Sequence, residues 1–426
     1  MDHTTIAVIT SYPRIGQIHG EGTVGVASYA KNTLLATVKA AKKEKVSPNI
    51  VVLAERREET PHKYTEEGIE VRRVWKRGNP FVFLQLLQEL VKFPSAQTVL
   101  IEFELSMFGH FAMLFLFPVF LLFLKLMNKR IILIAHQVVS DINEMVGHVG
   151  IGEGSLQAIV INTFIGIFYS LTLRLVHTTI VFEQFLKEKL QRFARLSKIV
   201  VIPHGVEQYE NIPTKENARK RLRLGDEFVI LYFGFIAWYK GTDWIVKQFS
   251  EFSNQFTVQG RKNIKLIIAG GANPNHKGKQ HYEEYVSKIY TTAKNSHERI
   301  QIAGFVNEEV IADYFAATDI VVLPYRTAMS SSGPLAIAYS FGKPVLLSDS
   351  LADYFNTREM KEILIQTGLS RESFLFPMQG HSFEKLMSGI TAQKLTKLTN
   401  FSRSMADARS FDKIGDMMLK LVISYV

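Results

Sequence analysis

The chain has 426 residues, of which 47% are hydrophobic and 21% charged, with a formal net charge of +10 and no cysteine. That length exceeds one ordinary core and divides into two domains, at roughly 100–200 residues each. Disulfides, thiolate metal sites and cysteine nucleophiles are excluded, and the composition fits a folded protein in a reducing compartment.

A positive balance points to an anionic partner, which can be nucleic acid, an anionic membrane surface or a phosphate-bearing substrate. No stretch interleaves aromatics with dense Lys/Arg, and no zinc-finger or RNA-recognition signature is present, so nucleic acid is set aside. The first residues, MDHTTIAVITSYP, run straight into a strand-like segment, unlike a signal peptide, and a cytoplasmic location is expected.

In chain order, short apolar runs predict buried parallel strands at Ile6–Thr10, Ile50–Leu53, Thr98–Glu102, Ile131–Ala135, Ile180–Phe182 and Ile199–Ile202. Helical patterns fall between them at about Gly25–Lys43, Pro80–Leu90, Met107–Met127 and Gln184–Arg192. The scheme repeats with strands at Phe228–Phe233, Ile264–Ala269, Ile300–Ile302, Ile320–Leu323 and Val345–Leu347. Such alternation, twice over, predicts an α/β protein of two doubly wound, Rossmann-like domains. The seam is placed after Ile202-Pro203-His204-Gly205, and Asp407–Val426 reads as a terminal helix that packs back on the body.

One segment, Gly109–Leu124, is apolar beyond His110 and is followed by Lys125, Lys129 and Arg130. A bilayer span needs about 20 residues, and Pro118 interrupts this run, so a buried helix or an interfacial segment is favoured over a crossing. Residues 157–182 are also rich in apolar and aromatic side chains, which strengthens the membrane-surface reading.

Ligands of open parallel sheets bind beyond the carboxyl ends of the strands, so the loops there hold the candidate site residues. Gly22 and Gly25 lie in a glycine-rich loop feeding a helix start, suited to a phosphate. His136 ends a strand, where it can hydrogen-bond a sugar hydroxyl or simply be structural. Gly234 and Lys240 offer close backbone approach and a point charge. Gly304, Phe305 and Val306 suit backbone contacts to a flat ligand. Ser330, Ser331, Ser332 and Gly333 precede Pro334, so this stretch reads as a capped helix start able to receive an anion, or as an ordinary cap.

Taken together, GFIAWYKGTDWIV at 234–246, IIAGG at 267–271, IQIAGFVNEEVIADYFAATDIVVLPYR at 300–326, SFGKPVLLSD at 340–349 and IPHGVE at 202–207 resemble a GT-B glycosyltransferase of the retaining family 4 type. The resemblance implies two domains facing across a cleft, 1–204 for the acceptor and 205–406 for a nucleotide-sugar donor, with 407–426 crossing back. It further implies that Gly22, Gly25 and Lys240 meet the donor diphosphate, that Gly304–Val306 meet the base and that His136 lies near the donor sugar. No metal and no separate cofactor are expected, since the nucleotide-sugar is the substrate and no Asp-x-Asp motif is present.

Two departures stand out. Phe235 occupies the place of the arginine usual in that family, and Met329 and Ile337 occupy the places of its two glutamates. Arg326 is the candidate replacement for the arginine, with Lys240 and His136 completing the catalytic set, and the Ser330–Ser332 hydroxyls are candidates for a carboxylate's acceptor role. The expected activity is sugar transfer to a lipid-linked or cell-envelope acceptor, at the cytoplasmic membrane face. The missing glutamates motivate the alternative, a non-catalytic GT-B subunit that binds a nucleotide or a partner transferase. A GT-B epimerase needs acidic and histidine residues facing the cleft and fits the pattern less well.

Overall fold

The computed structural model describes residues 5–18, 25–58, 60–109, 111–209, 211–252, 258–273, 276, 278–296 and 299–423. Strands β1 (Thr5–Thr10), β2 (Asn49–Glu55), β3 (Lys63–Glu66), β4 (Ile69–Trp75), β5 (Thr98–Phe103), β6 (Arg130–Ala135), β7 (Thr178–Val181) and β8 (Ile199–Val201) form one sheet. Its order is β3-β4-β2-β1-β5-β6-β7-β8, parallel throughout except for the β3–β4 hairpin. A second, wholly parallel sheet has the order β11-β10-β9-β12-β13-β14, from β9 (Phe228–Phe233), β10 (Ile264–Ala269), β11 (Ile300–Ile302), β12 (Ile320–Leu323), β13 (Val345–Ser348) and β14 (Leu375–Phe376). The strands are near-continuous aliphatic runs because helices cover both faces of each sheet, leaving no solvent face for polar alternation. This is the doubly wound GT-B architecture expected from the alternation of elements.

The topology itself marks where a ligand belongs. Chain order reverses at β1, which pairs β2 on one side and β5 on the other, and again at β9, between β10 and β12. Loops diverge at such switch points and leave a crevice at the strands' carboxyl ends.

The hairpin β3–β4 escaped the sequence reading. Its second strand alternates buried and half-buried positions, with Arg72 and Arg73 breaking the apolar run. The helix expected from Met107 starts at Ala112, because Gly109 has φ +114 and turns the chain first.

At the C-terminus the helix expected from Asp407 starts at Phe411, and a separate helix precedes it. Ala392–Ala408 packs on the second domain, the chain breaks at Arg409–Ser410, and Phe411–Ile423 crosses to the first. There Ile414, Met418 and Val422 join the core beneath β1 and β2. Gly415 permits that approach, since a Cβ would stand 2.5 Å from the Ala36 backbone.

Arg409 ties the domains together at this break. Its guanidinium meets Glu183 of the first domain at 2.7 Å and Glu359 of the second at 2.8 Å, while its carbonyl accepts from the Val206 amide at 2.7 Å.

Candidate active site

The loop after β9 turns sharply back on itself. Gly234 has φ +119, and Gly270 lies so close that a Cβ there would be 1.9 Å from the Gly234 carbonyl oxygen. The backbones of Gly234, Gly270, Gly271 and Gly304 thereby pack as one ridge, with the Gly271 Cβ position 3.1 Å from the Phe305 amide. Side chains are excluded from this ridge, so a ligand there meets peptide groups.

Trp238–Lys240 forms a single 3-10 turn closed by Gly241 at φ +66, where a Cβ would collide with the Pro324 carbonyl at 1.9 Å. The turn delivers the Lys240 ammonium to within 3.0 Å of the Gly234 Cβ position, beside the Pro334 ring. Burial pulls the Lys240 pKa down to about 8. Among the described residues no carboxylate lies within ion-pair distance of it. Its nearest aromatic faces, Tyr239 and Tyr325, stand about 6 Å away, at the outer limit of a cation–π contact. A desolvated ammonium without a counter-ion is costly unless an anion completes its surroundings.

Arg326 departs from expectation. Its guanidinium is bidentate to Asp243, at 2.8 and 2.7 Å, donates to the Trp238 carbonyl at 2.5 Å and lies over the Trp238 ring at 4.9 Å. A cation so engaged is neutralised locally, so Arg326 is a positioning residue that fixes the turn carrying Lys240 rather than a second phosphate cation.

The serine cluster is also more structural than its sequence suggests. The Ser332 hydroxyl caps the Gly333–Ser340 helix by accepting from the Leu335 amide at 3.3 Å and pairs with the Tyr325 hydroxyl at 3.2 Å. That hydroxyl is therefore occupied and does not stand in for a missing carboxylate. The Ser330 carbonyl accepts from the Tyr354 hydroxyl. What remains for a ligand is the helix start itself, where Pro334 occupies the first turn and no heavy atom lies within 4 Å of the Gly333 Cβ position. Pro334 has no N–H and the Leu335 and Ala336 amides are taken by Ser332, so the Gly333 amide is the first-turn donor left to face a ligand at the positive dipole end.

The first domain docks directly on this cluster. Gln137 bridges Ser330, and the Val138 amide donates to the Met329 carbonyl at 2.8 Å. His136 thus arrives beside the serines. Its Nε2 is 2.6 Å from Glu102 Oε2, and its ring packs edge-on against Tyr29 and Phe182, at 5.0 Å each. Burial raises the Glu102 pKa, opposed by the hydrogen bond from His136. Behind it, His204 is held at about 4 by burial and stays neutral at physiological pH.

Glu102 and Glu104 had not been singled out. The run Ile101-Glu102-Phe103-Glu104 puts two acids at the carboxyl end of a strand adjoining the switch point, which is the signal available in the sequence. Glu104 accepts from Gln137 Nε2 at 3.2 Å.

The remaining candidates divide. Gly25 opens the Gly25–Lys43 helix at the surface, and Gly22 lies outside the described residues. Gly304 has φ +74, Val306 is half-buried, and Phe305 is 57% exposed and stacked on Phe235 at 6.3 Å. Phe235 therefore brings an aromatic surface to the position that departs from the resembled family's arginine. Met329 is buried against the first domain, and Ile337 is half-buried on the helix that the serines start.

Two such domains, closed around a glycine ridge, a desolvated lysine and a helix start, define the GT-B class. Residues 227–374 match the family Glycosyl transferases group 1. The chain is 27% identical over 131 residues to D-inositol 3-phosphate glycosyltransferase of Kineococcus radiotolerans, a match covering 30% of this chain and 29% of that protein. It thus spans under a third of that curated relative.

In structure it is similar to sucrose-phosphate synthase from Thermosynechococcus elongatus, with a TM-score of 0.71 at 15% identity over 99% of both chains. It is similar also to Anabaena HepE in complex with UDP-glucose, with a TM-score of 0.63 at 14% identity over the whole of both chains. The fold is that of the GT-B glycosyltransferases, and the second domain is where this chain matches the group 1 family.

Proposed function

We propose that this protein transfers a sugar from a nucleotide-sugar donor to an acceptor held by the first domain, with retention of configuration and without a metal ion. The observation that carries the reading is Lys240, a desolvated ammonium set between the glycine ridge and the Gly333–Ser340 helix start. Charge develops on the departing diphosphate as the bond from the anomeric carbon to the phosphate oxygen breaks. Preformed positive groups at that point act on the transition state more than on the bound donor. The acceptor hydroxyl forms the new bond on the face the leaving group vacates, and its proton passes to the departing phosphate oxygen.

Within this reading His136, held by Glu102, hydrogen-bonds the donor sugar. Gly304–Val306 and the Phe235–Phe305 pair line the base. The nucleotide-sugar is substrate, and no cofactor is invoked. The neighbour crystallised with UDP-glucose makes uridine nucleotides the first donors to try. A lipid-linked acceptor at the cytoplasmic membrane face is part of the same proposal.

The apolar residues Met329 and Ile337 favour a second reading, a nucleotide-binding subunit without turnover. Incubation with UDP-, GDP- and ADP-sugars, with membranes as acceptor, separates the two by nucleotide release and by the anomeric configuration of the product. Release with one donor and a retained anomer are expected. Nucleotide binding without release for every donor supports the second reading, and neither binding nor release contradicts both.

A further inference from the structure

The Ala112–Leu126 and Leu156–Leu175 helices pack side by side on one face of the first sheet, joined by Phe115 and Phe164, whose rings are 4.3 Å apart. Each buries one stripe and leaves the opposite stripe bare. On the first helix Phe115, Leu122 and Leu126 are exposed, and on the second Ile159, Val160 and Ile167, with Leu126 at 73% and Val160 at 61%. These positions recur at helical spacing, so the two stripes form one continuous surface. The eleven exposed large apolar side chains of these two helices exceed the few hundred Å² that soluble monomers ordinarily show.

Charge on this surface has a single sign. Neither helix contains a carboxylate, and their only charged side chains are Lys125 and Arg174, each in a last turn. Both helices lead directly into adjacent parallel strands, β6 and β7, so both cations stand at the same end of the surface. His177 lies there too, its pKa lowered by burial and then by Arg130 and Lys125. The loop that seats Phe193 on Tyr169 adds exposed Arg192 and Arg195 beside the same helix.

Leu156–Leu175 is long and apolar enough to cross a membrane. Its inner stripe, including Ile165, Phe168 and Leu173, belongs to the domain core, and its end feeds the central sheet within three residues. It is therefore available to lipid on one side only.

We propose that the joint outer face of these two helices lies in the interface of an anionic lipid bilayer, the apolar stripes at the acyl boundary and the cations on the headgroups. A second copy of the chain is the competing occupant. It would set another body of net charge +10 against this one, whereas anionic headgroups complement it. Vesicle binding is read without donor or turnover, so failure of this inference is distinguishable from failure of sugar transfer.

Flotation with vesicles of mixed phosphatidylglycerol and phosphatidylcholine, and with phosphatidylcholine alone, tests it. The protein is expected to float with the mixed vesicles. F115E/L122E is expected to lose binding at least tenfold, and K125Q/R174Q to lose about tenfold on anionic vesicles with no change on neutral ones. All four positions are at the surface, and a matching melting curve checks each variant's fold; if F115E/L122E fails to fold, K125Q/R174Q carries the test. Protein that stays at the bottom with both vesicles, or binding unaltered by a folded F115E/L122E, overturns the proposal. So does a dimer in sedimentation that F115E/L122E dissociates, which assigns the face to a second copy.

Discussion

Replacing Lys240 by alanine is expected to weaken binding of a nucleoside diphosphate by about tenfold to a hundredfold, read by calorimetry at pH 7. A hydrogen bond to a charged group contributes about 1.5–3 kcal/mol, and 1.4 kcal/mol is a factor of ten. The pH dependence follows from the same geometry. Burial brings this lysine from an ordinary 10.5 to about 8, so the free protein carries the charge below about pH 8 and loses it above. A bound diphosphate favours the protonated form. Affinity should therefore be level below about pH 8 and fall as pH rises through it, and Lys240→Ala should lack that fall.

Stability moves the opposite way. Between about pH 8 and 10.5 the unfolded chain holds the proton that the native lysine has released, so native stability rises with pH across that window. Lys240→Met removes the half-buried ammonium, and its melting temperature at pH 7 is expected to exceed that of the wild type by a few degrees while nucleotide affinity is lost.

Arg409→Ala is expected to cost about 3–5 kcal/mol of stability, measured from urea unfolding midpoints. The side chain is 4% exposed and its partner Glu183 1%, so the substitution strands a carboxylate in the core. Burial raises the Glu183 pKa, and Arg409, which opposes that rise, is then absent. In the variant, native Glu183 holds its proton to higher pH than the unfolded chain does. The unfolded state then binds fewer protons above the ordinary carboxylate range, and stability falls as pH rises. The deficit is thus expected to be smaller at pH 5 than at pH 8. Pairing Arg409→Met with Glu183→Gln removes both charges and should recover most of the loss. Because Arg409 also binds Glu359, the single variant loosens the contact between domains as well as the core.

How much of this was legible beforehand depended on whether the determining contact was local. Central strands such as Phe228–Phe233 announce themselves because a parallel strand buried on both faces has no room for polar residues. Ile69–Trp75 did not, since Arg73 is buried by donating to the carbonyls of Tyr12, Pro13 and Glu55 and to the Tyr64 hydroxyl. The turn at Lys240 was readable from its glycines, whose backbone demands are local.

Long-range pairing was not readable. Arg326 looks like a free cation until Asp243, 83 positions earlier in the chain, is seen to hold it. Ser332 looks like a ligand until Leu335 and Tyr325 are seen to take its hydroxyl. The terminal helix read from Asp407 starts instead at Phe411, beyond Arg409, whose two acidic partners on separate domains no local pattern encodes. The apolar run at Gly109–Leu124 was likewise legible and left a buried helix and an interfacial segment both open, because an all-apolar run does not say which stripe is bare.

The central claim is that the cleft receives a donor diphosphate between Lys240 and the start of the Gly333–Ser340 helix. A crystal structure with a nucleotide-sugar, or with the nucleoside diphosphate that competes with it best, tests this most directly. The account predicts diphosphate oxygens within hydrogen-bond distance of Lys240 Nζ and of the Gly333 amide, with the base against Gly304–Val306. A diphosphate bound elsewhere on the protein, or a cleft empty at saturating nucleotide, contradicts it.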